Sequence, residues 1–180
     1  MDKQEQFSAR LQGYRPIAWE LIPDLGLYMD QVITFVERQC MELFMEGDRI
    51  FTPSMVNNYV KIGLLDRPVA KKYGRDQLAQ LLMICILKQS ISAENMKALV
   101  RPPEGVSMQA HYESFCQMEV SVFKSLSDAL PLPLMDCAIR GAAYFLLCNT
   151  LLAPQKTRSK PQPADAKEPK PDPAKSGKKK

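Results

Sequence analysis

Residues 55–77 read MVNNYVKIGLLDRPVAKKYGRDQ. Two asparagines and a lysine sit among apolar residues, Gly-Leu-Leu and a proline follow, and then two lysines, a tyrosine and an arginine crowd together. The residues just upstream define a helix start. Thr52 can cap it and Pro53 suits its first turn, so the spacing predicts a helix over about 53–62, ended by Gly63. At about 100° per residue, with Ser54 as zero, Asn57 falls at roughly 300°, Asn58 at about 40° and Lys61 at about 340°. Met55, Val56, Tyr59, Val60 and Ile62 take the opposite side. One face packs and the other presents Ser, Asn, Asn and Lys.

That polar set suits DNA. Asparagine can pair bidentately with the N6/N7 edge of adenine, and lysine can reach guanine or phosphate. A solvated helix face would more often mix glutamate with lysine. The segment after it is too short for another helix, since 64–74 holds Pro68 and Gly74. Two short strands joined by a turn would fit there. From Thr52 to Arg75 the basic residues are Lys61, Arg67, Lys71, Lys72 and Arg75, and Asp66 is the one acid, a local charge of +4. Tyr73 can donate to a phosphate or cover the core, and the core is the favoured place for its ring.

The charge balance must be read locally. The chain of 180 residues carries 24 Lys and Arg against 20 Asp and Glu. Nine of those bases and three of those acids lie in 154–180, which leaves residues 1–153 with 15 bases and 17 acids. The segment 154–180 has no aromatic, Leu, Ile or Val and is expected to be a disordered Pro/Lys-rich tail. The five cysteines (Cys40, Cys85, Cys116, Cys137, Cys148) stand singly with no CxxC, and His111 is the lone histidine, so free thiols in a reducing compartment are expected and no metal or cofactor is implied. The polar start MDKQEQFSAR lacks a signal-peptide core, and the apolar run near GAAYFLLCNTLLA is short for a membrane span. These features point to the cytoplasm with no membrane partner. No Gly-rich phosphate loop or nucleophile elbow is present, so an enzyme is not expected, and His111 reads as structural.

Residues 1–23 read as irregular. A helix should follow Asp24 or Gly26, with Tyr28, Val32, Phe35, Val36, Cys40, Leu43 and Phe44 at helical spacing, an acidic outer face and a stop at Gly47. A core helix is expected at about 75–90, through LLMICIL, and a short one from Ser92 to Val100. Two more follow at about 107–129 and 133–152. Between Cys137 and Leu152 the one charged residue is Arg140. A helix that apolar must be covered, and a homodimer built on the last two helices is the favoured cover; closure of the monomer's own core is the alternative.

The run Thr52-Pro53-Ser54, Tyr59, Gly63-Leu64-Leu65, then Tyr73-Gly74-Arg75-Asp76-Gln77-Leu78, Leu81, Ile84 and Leu87, resembles the winged helix-turn-helix of MerR-type regulators over about 52–100. The usual Arg beside the recognition-helix aromatic is Asn58 here. Leu27-Tyr28-Met29-Asp30-Gln31-Val32, Met55–Lys61 and Lys71-Lys72-Tyr73 are similar to the bacterial family catalogued as domain of unknown function 1836. Together these resemblances imply a mainly α fold with a MerR-like winged helix-turn-helix domain over 24–101 and a C-terminal helical pair over 102–153. They imply a DNA-binding transcriptional regulator reading double-stranded DNA. Its expected contacts are Ser54, Asn57, Asn58, Lys61, Arg67, Lys71, Lys72, Tyr73 and Arg75, and any small-molecule effector is left open. The alternative is a helical protein-interaction or effector-sensing module that has the fold and does not bind DNA.

Overall fold

A computed structural model describes residues 2–44 and 50–153, the Glu42 side chain apart. Its described residues form seven α-helices: α1 (Lys3–Gly13), α2 (Met29–Cys40), α3 (Pro53–Lys61), α4 (Arg75–Leu87), α5 (Ala93–Val100), α6 (Met108–Ala129) and α7 (Leu134–Leu152). Two 3-10 turns, Trp19–Leu21 and Met41–Leu43, complete the architecture. The fold is mainly α, and the β pairing among the described residues is confined to isolated bridges. No helix among them is long and apolar enough to cross a membrane.

The core is built around α4. Leu78, Ala79, Leu81, Met83, Ile84 and Cys85 are fully buried. That is the outcome expected for a helix apolar on every side. α2, α5 and α6 pack around it. Val32, Val36 and Cys40 bring in α2, and Met96 and Val100 bring in α5. Tyr112 carries α6 into the same cluster, where its hydroxyl donates to the Ile17 carbonyl at 2.9 Å. The α-helical part of α2 ends at Cys40 and passes into the 3-10 turn. The expected stop at Gly47 and the expected disordered tail over 154–180 lie outside the described residues.

The first 23 residues are not irregular throughout. α1 is a helix, set by a capping box in which the Asp2 side chain accepts from the Glu5 backbone N–H and the Glu5 carboxylate accepts from the Asp2 N–H at 2.9 Å. Leu11 and Tyr14 are buried, and the Tyr14 ring meets Phe123 of α6 at 5.5 Å. Its other ties are polar: Ser8 to Ser127 at 2.7 Å, and Gln4 to both backbone groups of Leu132 at 3.0 and 2.7 Å. So few apolar positions give a weak periodic signal, which is why periodicity alone misses this helix.

The inner side of α6 holds Glu119, a buried carboxyl next to a small cavity of about 10 Å³ lined also by Tyr14, Gln39, Cys40 and Tyr112. Its Oε1 has no hydrogen-bond partner. Burial raises this carboxyl to about 7, with the neighbouring Tyr14 hydroxyl opposing the shift.

Candidate nucleic-acid interface

α3 begins as its cap residues require. Thr52 Oγ1 accepts from the Met55 N–H at 3.2 Å and Pro53 occupies the first turn. It ends in a Schellman arrangement: Leu64 N–H donates to Tyr59 O at 2.9 Å, and Gly63 N–H to Val60 O at 3.2 Å. Gly63 sits at φ +71°, a conformation that a side chain would strain. Val56 and Tyr59 are buried, and the Tyr59 ring meets Phe51 edge-on at 6.2 Å. Ser54, Asn57, Asn58 and Lys61 are all exposed, on the side away from that packing.

The segment after α3 is shorter in β structure than the two strands expected. Val69 and Lys72 exchange hydrogen bonds of 3.0 and 2.9 Å around Ala70 and Lys71, whose φ values are +48° and +63°. This is the pattern of a two-residue turn with both central residues left-handed. The ladder cannot lengthen. The next bonded pair would join Arg67 to Gly74, and the Gln77 side chain already takes both groups, donating to the Arg67 carbonyl at 3.0 Å and accepting from the Gly74 N–H at 2.6 Å. On the other side Tyr73 pairs with Leu27, both bonds 2.9 Å, which ties the turn to the chain entering α2. Gly26 permits that approach, because a Cβ there would lie 2.8 Å from the Lys72 Cβ.

The expected contact residues divide into two groups. Ser54, Asn57, Asn58, Lys61, Arg67 and Lys71 are exposed. Lys72 is exposed as well, with its ammonium 5.1 Å from the Tyr28 ring centre, a cation–π contact. Tyr73 is 3% exposed and belongs to the core, where burial raises its hydroxyl pKa. Arg75 is engaged inward: its Nε donates to the Ile22 carbonyl at 2.9 Å, its guanidinium faces Asp24 at 3.7 Å, and it lies over Trp19 at 5.8 Å. Tyr73 and Arg75 hold the frame on which the others stand.

Two basic residues of this surface were not singled out by sequence. Arg101, just past α5, donates to the Gly63 carbonyl and to Asp66 Oδ1, both at 3.0 Å. It offsets the one acid of the 52–75 segment and fastens the end of α3. The Lys97 ammonium lies 3.4 Å from where a Cβ on Gly63 would stand, which adds a cation beside Lys61. The available signal was the spacing of Lys97 and Arg101, four apart on the open side of a short helix. His111 makes an ordinary structural contact, a ring nitrogen 2.9 Å from the Leu99 carbonyl.

The bridge from Leu27 to Tyr73 joins the segment before α2 to the turn after α3, and a family model spans this whole unit, matching residues 17–115, more than half of the chain. The chain belongs to the family described as Domain of unknown function (DUF1836). The match takes in α2 to α5 and the first turns of α6, and it stops before the second half of α6 and α7. No curated protein and no solved structure matches the chain.

Proposed function

We propose that this protein is a DNA-binding transcriptional regulator that lays α3 in the major groove and sets the Val69–Lys72 turn against the flanking phosphate backbone, in the manner of a reduced, MerR-like winged helix-turn-helix. The observation that carries this reading is the acid-free exposed face of α3, Ser54, Asn57, Asn58 and Lys61, with the exposed cations Arg67, Lys71 and Lys72 on the segment that follows and the Lys97 ammonium beside Gly63 at the helix end. In this reading the asparagines meet base edges and the cations meet phosphates. The turn's tie to Leu27 gives it the fixed position that a wing needs. Two paired chains would offer two copies of α3 to the half-sites of an operator.

DNA binding of this kind has graded consequences. Affinity for duplex DNA should fall with a log–log salt slope of about −0.9 per phosphate contacted. Lys71→Glu with Lys72→Glu should weaken binding to all sequences and flatten that slope. Asn57→Ala or Asn58→Ala should relax sequence choice, at roughly 1–3 kcal/mol for a bidentate contact. Selection of bound fragments from genomic DNA followed by a salt titration reads all three. Binding indifferent to salt and to the turn's charges removes the proposal.

A second reading, a helical protein-interaction or effector-sensing module without DNA contact, is favoured by the excess of acids over bases in residues 1–153. Unaltered protein, with Lys71 and Lys72 in place, that retains no duplex at low salt would select it.

A further inference from the structure

α7 is apolar around most of its circumference, yet it stands apart from the body. It packs closely along no other helix among the described residues. It is pinned at its two ends. At the start, Leu132 is held by Gln4 of α1 through two hydrogen bonds. At the finish, Cys148 and Leu152 touch the core and Asn149 Oδ1 accepts from Asn95 of α5 at 3.4 Å. Between those points a groove of about 820 Å³ separates α7 from α1 and α6. Phe7, Val122, Leu126, Leu134 and Tyr144 are among the residues that line it.

The amount of apolar surface left in water is too large for an isolated chain. Eight large apolar side chains between Leu134 and Leu151 are 47% to 85% exposed. They leave on the order of 900 Å² uncovered, while each side of a standard stable interface contributes roughly 800 Å². A single exposed patch of a monomeric protein is usually a few hundred Å². α7 also carries both halves of an interface. At 100° per residue, Cys137, Gly141 and Tyr144 share the groove side, while Met135, Ile139 and Leu146 form a ridge on the opposite side. A surface that holds its own ridge and its own groove is self-complementary, as two-fold pairing requires. Charge argues the same way. Asp136 and Arg140 pair with each other at 2.6 Å, so α7 itself carries no net charge, and Lys3 of α1 is the one further charged residue lining the groove, little for a charged partner or an anionic membrane to hold.

We infer that the groove between α6 and α7 is the seat of a second copy of this chain, the α7 ridge of each copy entering the groove of the other to form a two-fold bundle of α6, α7 and their counterparts. The inference is independent of DNA binding, because every residue it uses lies away from α3 and the turn. It gives the part of the chain beyond residue 115 a role in assembly.

Multi-angle light scattering of the full chain from 1 to 50 μM tests it. The expected mass is that of two chains. Ile139→Asp with Leu146→Asp should reduce it to one chain while helical circular dichroism is retained, and Lys97→Asp, far from the groove, should leave two. A one-chain mass at 50 μM, or a two-chain mass that survives both aspartates, overturns the inference, as does binding of the unaltered monomer to lipid vesicles in place of self-association. Should the double variant unfold, hydrogen exchange of the unaltered protein decides: protection across 134–147 must rise with concentration, and protection independent of concentration rejects the pairing. Failure of DNA binding would leave these readouts unchanged.

Discussion

α4 and α7 are the two most apolar helices among the described residues, and they meet opposite fates. α4 runs through the centre, with Leu78, Leu81, Met83 and Ile84 sealed from water. α7 spreads Leu134, Ile139, Leu146 and Leu151 over the outside. Their side-chain chemistry is similar, so composition does not separate them. What separates them is cover. α2, α5 and α6 each turn an apolar stripe toward α4, and among the described residues α7 is reached chiefly at its ends. A helix apolar on all sides calls for neighbours on all sides, and whether they come from the same chain is a property of the tertiary arrangement. The same contrast separates two roles in the molecule. The matched family region folds around α4, and the apolar surface of α7 is the one we infer to serve association.

The most forceful way to break this contrast is to place the same charge in both helices. Leu81→Asp in α4 buries an unpaired carboxylate and should cost more than about 4 kcal/mol, enough to unfold the chain at room temperature. Leu146→Asp in α7 should keep the helical spectrum and cooperative melt. Any drop in its melting temperature should shrink on dilution, because it reflects lost association alone. Equal damage from the two substitutions would erase the distinction.

Next in size is a pH effect on α6, the helix between the two environments. Its inner side buries Glu119, faced by Tyr14, Tyr112 and Cys116, with Cys40 of α2 near Cys85 of α4. Burial raises the Glu119 carboxyl from 4.5 to about 7. The folded chain therefore holds a proton that the unfolded chain releases. Stability is full below about pH 4.5, declines as pH rises to about 7, and stays lower above it. At about 1.4 kcal/mol per pH unit the loss is on the order of 3 kcal/mol. Glu119→Gln should flatten this curve and melt several degrees above the unaltered chain at pH 8, in a thermal melt series across pH 4 to 8. Parallel curves for the two proteins would show that another group sets the dependence.

Tyrosine hydroxyls provide a finer comparison. Tyr112→Phe removes the bond to the Ile17 carbonyl and should cost about 1 kcal/mol. Tyr144→Phe, on exposed α7, should leave urea unfolding of the dilute chain unchanged. The smallest effect belongs to neither helix and serves as a reference for both. Ala70→Asn suits the left-handed position at φ +48° and should add up to about 1 kcal/mol without altering association.

Much of this molecule is legible in its sequence because the signals are local. Thr52-Pro53, Gly63 and Ser92 fix helix ends through bonds made within a few residues, and the run LLMICIL can only be a core element. The exposed face of α3 follows from a 100° step and needs no tertiary information. α1 was not legible, since its capping box is clear but its hold on α6 is made by glutamine and serine contacts more than a hundred residues away in sequence. The expected wing strands were not realised, because Gln77 claims the Arg67 and Gly74 groups that a ladder would need. The core place of the Tyr73 ring was legible, but spacing did not reveal that Arg75 faces inward while Lys97 and Arg101 join the basic surface.

The sequence by itself determined the mainly helical character, most helix limits and the local reversal of charge between residues 52 and 75, since propensity, capping and net charge depend on neighbours along the chain. Tertiary structure alone decided which cations stand free and that α7, unlike α4, keeps its apolar side chains exposed. Those outcomes depend on who covers whom, and cover is set by contacts between residues that the chain places far apart.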